Sequence, residues 1–136
     1  MPHFTIETTY LLPVYRQRSY EAPSLAEACR LSIEDDDWEG SKQDHESAGD
    51  TYVSDIWAGP DVADRGEPVP IPSQCRDTVQ RQVEHFGEPL TQLAIPAQPM
   101  GISAVDFQRW LPNAQAAVAK ARAILEGRRD PDDVTA

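Results

Sequence analysis

Phe4, Ile6, Thr8, Tyr10, Leu12 and Val14 occupy every second position near the start of the chain. A period of two is the pattern of a half-buried strand and predicts one over residues 3–21. Pro13 has no amide hydrogen to give to a ladder, so either one bent strand or two strands fit. Arg16 and Arg18 then share a face. The period changes after Pro23. Leu25, Ala28, Cys29, Ser32 and Ile33 fall on one stripe of a helix spanning 24–37. Ser24 and Glu27 stand at the spacing of a capping box, which fixes where that helix starts. Thr51 to Ala58 is rich in Tyr, Val, Ile and Trp and predicts a second strand, stopped by Gly59-Pro60.

Beyond it the pattern turns irregular, then helical. Residues 59–72 hold Pro60, Gly66, Pro68, Pro70 and Pro72 and predict a turn-rich linker. Ser73 can cap a helix to about Phe86, with Cys75, Val79, Val83 and Phe86 as its apolar stripe and Gly87 as its stop. Residues 88–102 are Pro-rich and partly apolar and are expected to lie over the core. Ser103 and Asp106 predict the start of a third helix, in which Pro112 makes a kink or a fresh first turn. Leu111, Ala114, Val118, Ala121 and Leu125 alternate spacings of three and four. That seam suits a helix packing on its own domain, with a homodimer through the same residues as the alternative. Gly127 ends the helix, and 128–136 reads as a flexible polar tail.

Together these elements predict an α+β fold: a small, mostly antiparallel sheet packed by one capped helix, with a C-terminal helical section. One domain is expected over residues 1–127, with a nucleus at 3–58, the linker at 59–72 and helices in 73–127.

Charge changes this picture in one place. Residues 21–70 carry 14 Asp and Glu against 3 Lys and Arg, while the rest of the chain is nearly balanced. The whole chain has a net charge of −11. Such acidity repels nucleic acid and anionic membrane and suits a basic protein surface. Two Cys, Cys29 and Cys75, are too few for a disulfide scaffold and lie on apolar helix faces, where buried reduced thiols are expected. Without a signal peptide or an apolar run of membrane length, the expectation is a soluble cytoplasmic protein.

The local oddity is Glu34-Asp35-Asp36-Asp37-Trp38-Glu39-Gly40. Acids in the last turn of a helix face the negative end of its dipole and repel one another. Residues 35–46 resemble the twelve-residue calcium loop of the EF-hand family. Asp35, Asp37, Glu39, Gly40 and Glu46 stand at loop positions one, three, five, six and twelve. The resemblance implies a weak divalent-cation site on Asp35, Asp37, Glu39 and Glu46. Lys42 replaces the family's aliphatic residue, and no exiting helix follows Glu46. His45, flanked by carboxylates, is the residue on which a small enzyme would be built. No nucleophile elbow, P-loop, dinucleotide fingerprint or Cys-x-x-Cys is present. The leading expectation is therefore a non-enzymatic interaction module without a cofactor. Its acidic region, Glu34 to Glu39 with Trp38, Tyr52 or Trp57 as apolar anchor, would dock on a basic protein, as an inhibitor or regulator of a nucleic-acid-binding protein does.

Overall fold

The computed structural model describes residues 1–133. In chain order its elements are β1 (Phe4–Thr9), β2 (Val14–Tyr15), α1 (Leu25–Glu34), β3 (Lys42–Gln43), β4 (Tyr52–Ala58), β5 (Glu67–Pro68), a 3-10 turn (Ser73–Cys75), α2 (Thr78–His85), α3 (Gly87–Ala94) and α4 (Ala104–Leu125). The fold is α+β with small antiparallel sheets. The chain divides into two compact units, residues 10–50 and the remainder. No helix among the described residues is long and apolar enough to cross a membrane.

In the larger unit β4 is the central strand, flanked by β1 and β5. Ile56 and Trp57 are its buried residues. Neighbouring residues of a strand face opposite ways, so both faces of the sheet are covered there. The β1–β4 register shifts between Glu7 and Thr8, where Ser54 is the extra residue. Its hydroxyl lies 2.6 Å from the Glu7 carboxylate and 2.7 Å from the Thr9 hydroxyl. The expected parity of β1 is corrected. Phe4 and Ile6 are more than half exposed, and Thr5 and Thr9 are the better-covered residues. The Thr5 hydroxyl donates to the Gly59 carbonyl at 2.8 Å and accepts from the Val62 amide at 3.1 Å, which fastens the 59–66 loop over that face. The Pro-rich linker also contains a strand: Glu67 and Pro68 of β5 pair with Ala58 and Trp57.

The helix expected from Ser73 begins later. Ser73–Cys75 is a 3-10 turn, and Asp77 caps α2 by accepting the Val79 amide at 3.2 Å. Gly87 does not stop the chain. Phe86 keeps helical dihedrals (φ −55°, ψ −39°) and leads from α2 into α3, whose first turn accommodates Pro89. The Ser103 cap is present, accepting the Asp106 amide at 3.1 Å, and α4 runs unbroken through Pro112. Gly127, at φ +66°, closes α4 with paired bonds from Gly127 to the Ile124 carbonyl and from Arg128 to the Ala123 carbonyl. Trp110 ties α4 to α3 by donating Nε1–H to the Gln92 carbonyl at 2.7 Å. On the other side α4 receives two polar residues of α2. His85 Nε2 donates to the Ala117 carbonyl at 3.0 Å, and Arg81, 2% exposed, bonds Asp130 and the Arg128 carbonyl at 2.7 Å each.

Residues 128–133 of the expected tail are held by these contacts and by the Ser73 hydroxyl, which accepts the Asp130 amide at 2.9 Å. Residues 134–136 lie outside the described residues. The α4 seam faces α3 in part: Ala114, Val118, Ala121 and Leu125 line an apolar groove of about 280 Å³ with Leu93 and Trp110, and Leu111 is half-buried.

Candidate functional site: the 10–50 unit

The unit formed by residues 10–50 has no fully buried residue. What organises it is polar. The two-residue strands β2 and β3 pair Val14 with Gln43 and Tyr15 with Lys42. Backbone bonds from Asp44 to the Pro13 carbonyl and from Gly49 to the Leu11 carbonyl extend the ladder. Pro13 thus divides the predicted N-terminal strand in two and serves the second part as an acceptor.

Helix α1 starts where its sequence says it should. The Ser24 hydroxyl accepts the Glu27 amide at 3.2 Å, an interaction worth about 1 kcal/mol at such positions. The other half of the capping box is replaced, because the Glu27 carboxylate binds Arg30. Arg30 also reaches Glu34 at 2.5 Å. The helix ends at Glu34, not at residue 37. Asp35, Asp36 and Asp37 leave it, and the carboxylates of Asp35 and Asp37 accept backbone amides two residues ahead, from Asp37 and Glu39 at 3.0 Å each. The conflict between three acids and the helix dipole is resolved by ending the helix before them.

A cation then occupies that end. The Arg16 guanidinium donates to the carbonyls of Ser32 (2.8 Å), Asp35 (2.6 Å) and Asp37, and lies 4.0 Å from the centre of the Trp38 ring. Its side chain is only 9% exposed. Asp35 is the second hub. It accepts the Tyr20 hydroxyl at 2.7 Å and Arg18 at 3.1 Å. These contacts hold its carboxyl at about 2, chiefly through the Tyr20 hydroxyl, then the Asp37 amide, with Arg18 and Arg16 adding to them. The same hydrogen bond pushes the Tyr20 hydroxyl upward from its ordinary value. Arg18 also reaches the Asp37 carboxylate at 3.4 Å.

All three arginines of the unit are thereby committed internally. The Asp36 and Glu39 carboxylates, by contrast, are exposed and have no cationic partner among the described residues. Between β2 and α1 lies an open groove of about 900 Å³. Tyr15, Tyr20, Cys29, Ile33 and Trp38 are among its lining residues. Ile33 is 82% exposed and Trp38 49%. Cys29 is exposed and not buried as expected, as are Leu25 and Ile33 of the same stripe, while Ala28 and Ser32 are half-buried. Cys75 is half-buried.

No family model, curated protein or solved structure matches this chain. Its chemistry is therefore argued from its own residues. The sequence-predicted interface separates into two groups. Glu34, Asp35, Asp36, Asp37, Trp38 and Glu39 lie together at the end of α1. Tyr52 and Trp57 belong to β4 of the other unit, Tyr52 half-buried and Trp57 5% exposed in the core. Asp35, predicted as an interface acid, is instead engaged by Tyr20, Arg18 and Arg16. The proposed cation ligands do not converge: no group of three or more His, Cys, Asp or Glu placed to hold a metal occurs among the described residues. Asp35 is held by Tyr20 and Arg18, and the chain after Glu46 forms a turn on the Asp44 carboxylate, which accepts the Glu46 and Ser47 amides at 3.2 Å each. His45 is exposed and belongs to no such group. Sequence reasoning missed Arg16. The available signal was an Arg-x-Arg run on one strand face in a unit with a surplus of acids at a helix end.

A second polar cluster lies in the larger unit, a pocket of about 100 Å³ whose charged lining includes Arg76, Arg81 and Lys120 against Glu84, Glu88 and Asp130. Three cations balance three carboxylates, so it offers an ion no net charge.

Proposed function

We propose that the chain is a non-enzymatic interaction module whose 10–50 unit docks on a basic protein surface carrying an apolar side chain. The observation that carries this reading is the unit's composition in space. Its three arginines are used up on its own carbonyls and carboxylates, which leaves Lys42 as its one uncommitted Lys or Arg among the described residues, while Asp36 and Glu39 stay unpaired beside the half-exposed Trp38. Ile33 and Trp38 give the groove, which Arg16, Gln17 and Arg18 also line, apolar surface that a partner can cover. Acids at a rim steer encounter and set specificity, while a desolvated aromatic supplies affinity. Nucleic-acid-binding proteins are the natural class of partner, since their basic surfaces accept carboxylates where they accept phosphates.

The test is association with an arginine-rich peptide containing one leucine, and with a panel of nucleic-acid-binding proteins, at low and physiological salt. The double variant Asp36→Lys, Glu39→Lys is expected to slow association about tenfold or more at low salt and to flatten its salt dependence. Trp38→Ala is expected to speed dissociation instead. Association of the double variant at the wild-type rate at low salt would sink the reading.

A further inference from the structure

Helix α2 is turned the opposite way from its hydrophobic pattern. Arg81 and His85 face α4 and are buried, while Val79, Val83 and Phe86 are 64–70% exposed. Because Phe86 keeps helical dihedrals, the stripe continues into α3 with Leu90 and Leu93, 56% and 64% exposed. The spacings 79, 83, 86, 90 and 93 alternate four and three without exception. That is the seam of a helix that packs against another helix.

The positions flanking the seam are Gln80, Gln82, Gly87, Pro89 and Ala94, none of them charged. The charged and titratable residues of the two helices, Arg81, Glu84, His85 and Glu88, all line the pocket beside α4. The surface around the stripe therefore selects no partner by charge. Residues 73–127 hold five acids and five bases, so a second copy meets no net repulsion there.

We propose that two copies of this chain associate through the 79–93 stripe, related by a two-fold axis. At roughly 100 Å² per large apolar side chain, the exposed parts of the stripe, with Val118 and Leu125 beside Leu93, present about 400 Å² of apolar surface. Homodimer interfaces are about 65% apolar, so this corresponds to about 600 Å² a side, at the lower bound for stable specific complexes. The stripe is separate in sequence from the 10–50 unit, so the two surfaces can be tested one at a time.

The measurement is sedimentation equilibrium of the full chain from low micromolar to several hundred micromolar. Wild type is expected to dimerise. Val83→Glu and Phe86→Glu are each expected to weaken the dimer at least tenfold, with unchanged far-ultraviolet circular dichroism, since both side chains are exposed. Leu90→Ser, a milder change on the same stripe, gives the same reading if a Glu variant fails to fold. Phe4→Glu, on an exposed strand position outside the stripe, is expected to leave the dimer intact. A wild-type chain that stays monomeric throughout overturns the proposal. So does a dimer that survives Phe86→Glu, or one that Leu125→Glu dissolves while the stripe variants do not.

Discussion

An arginine that donates to three carbonyls at the end of a helix supplies the positive charge which that helix's own last turn lacks. Arg16 does this for α1 and shields one face of Trp38 as well. Asp35 completes the arrangement, and its titration can be read. Its carboxyl is held at about 2, below the ordinary carboxylate value, so the folded state favours the ionised form. The stabilisation is full above about pH 4 and is lost as pH falls toward 2. Trp38 fluorescence should therefore show a transition between pH 4 and 2 as the unit loosens. Asp35→Asn, which cannot ionise, should lack this transition and should leave the 10–50 unit less resistant to urea at neutral pH. An Asn variant with the wild-type acid profile would mean that another carboxylate governs the region. Tyr20 works in the opposite sense: its raised hydroxyl contributes below its ordinary value near 10 and is lost as pH rises through the folded value.

At the scale of elements, the 59–66 loop shows how a short sheet is secured. A Cβ on Gly66 would lie 2.6 Å from Val62 Cγ2 and 3.0 Å from both the Ala58 carbonyl oxygen and Trp57 Cβ. Two of these atoms belong to the central strand and cannot swing aside. Gly66→Ala is expected to cost about 1–3 kcal/mol, visible as a lower urea midpoint of the sheet, whereas Gly87→Ala, with open space around it, should cost far less. Which elements exist was largely legible. The period-two run, the Ser24 and Ser103 caps, the 51–58 strand and the Gly127 stop all carry local signals, and local chemistry decides them. What was not legible is which face each element turns inward. Val79, Val83 and Phe86 make the better hydrophobic stripe, yet Arg81 and His85 are inside, where Arg81 Nη2 bonds Asp130 and the Arg128 carbonyl and His85 Nε2 bonds the Ala117 carbonyl, while Arg81 Nε and Nη1 are buried without a hydrogen-bond partner among the described residues. β5 and α3 were hidden by proline, which lowers propensity but is tolerated at a sheet edge and in a first helical turn. In the site, the acids and Trp38 were legible as a cluster. Its organisation was not, since Arg16 and Tyr20 lie 15 to 21 residues from the groups they bind.

Across the whole molecule the two proposed surfaces respond to salt in opposite directions. Docking of the acidic unit on a basic partner weakens as salt screens attraction. Self-association brings together two chains of charge −11 each, so it strengthens as salt screens their repulsion. A dimer that weakens with added salt would point to charged pairing and away from the apolar stripe. The way the chain joins its two units has a further consequence. Residues 10–50 leave the sheet after Thr9 and return before Tyr52, and these two are opposite each other in the β1–β4 ladder. An entire acidic module thus occupies the place of a hairpin turn. Replacing residues 10–51 by Asn-Gly should leave β1 and β4 as consecutive strands of a simple hairpin. Shortening an excursion of about 40 residues to two removes roughly four doublings of loop length, at about 0.6 kcal/mol each, so the remaining sheet should melt no lower than before. A sheet that keeps its stability in that variant would make the acidic segment a removable cassette, open to replacement by other sequences on the same scaffold.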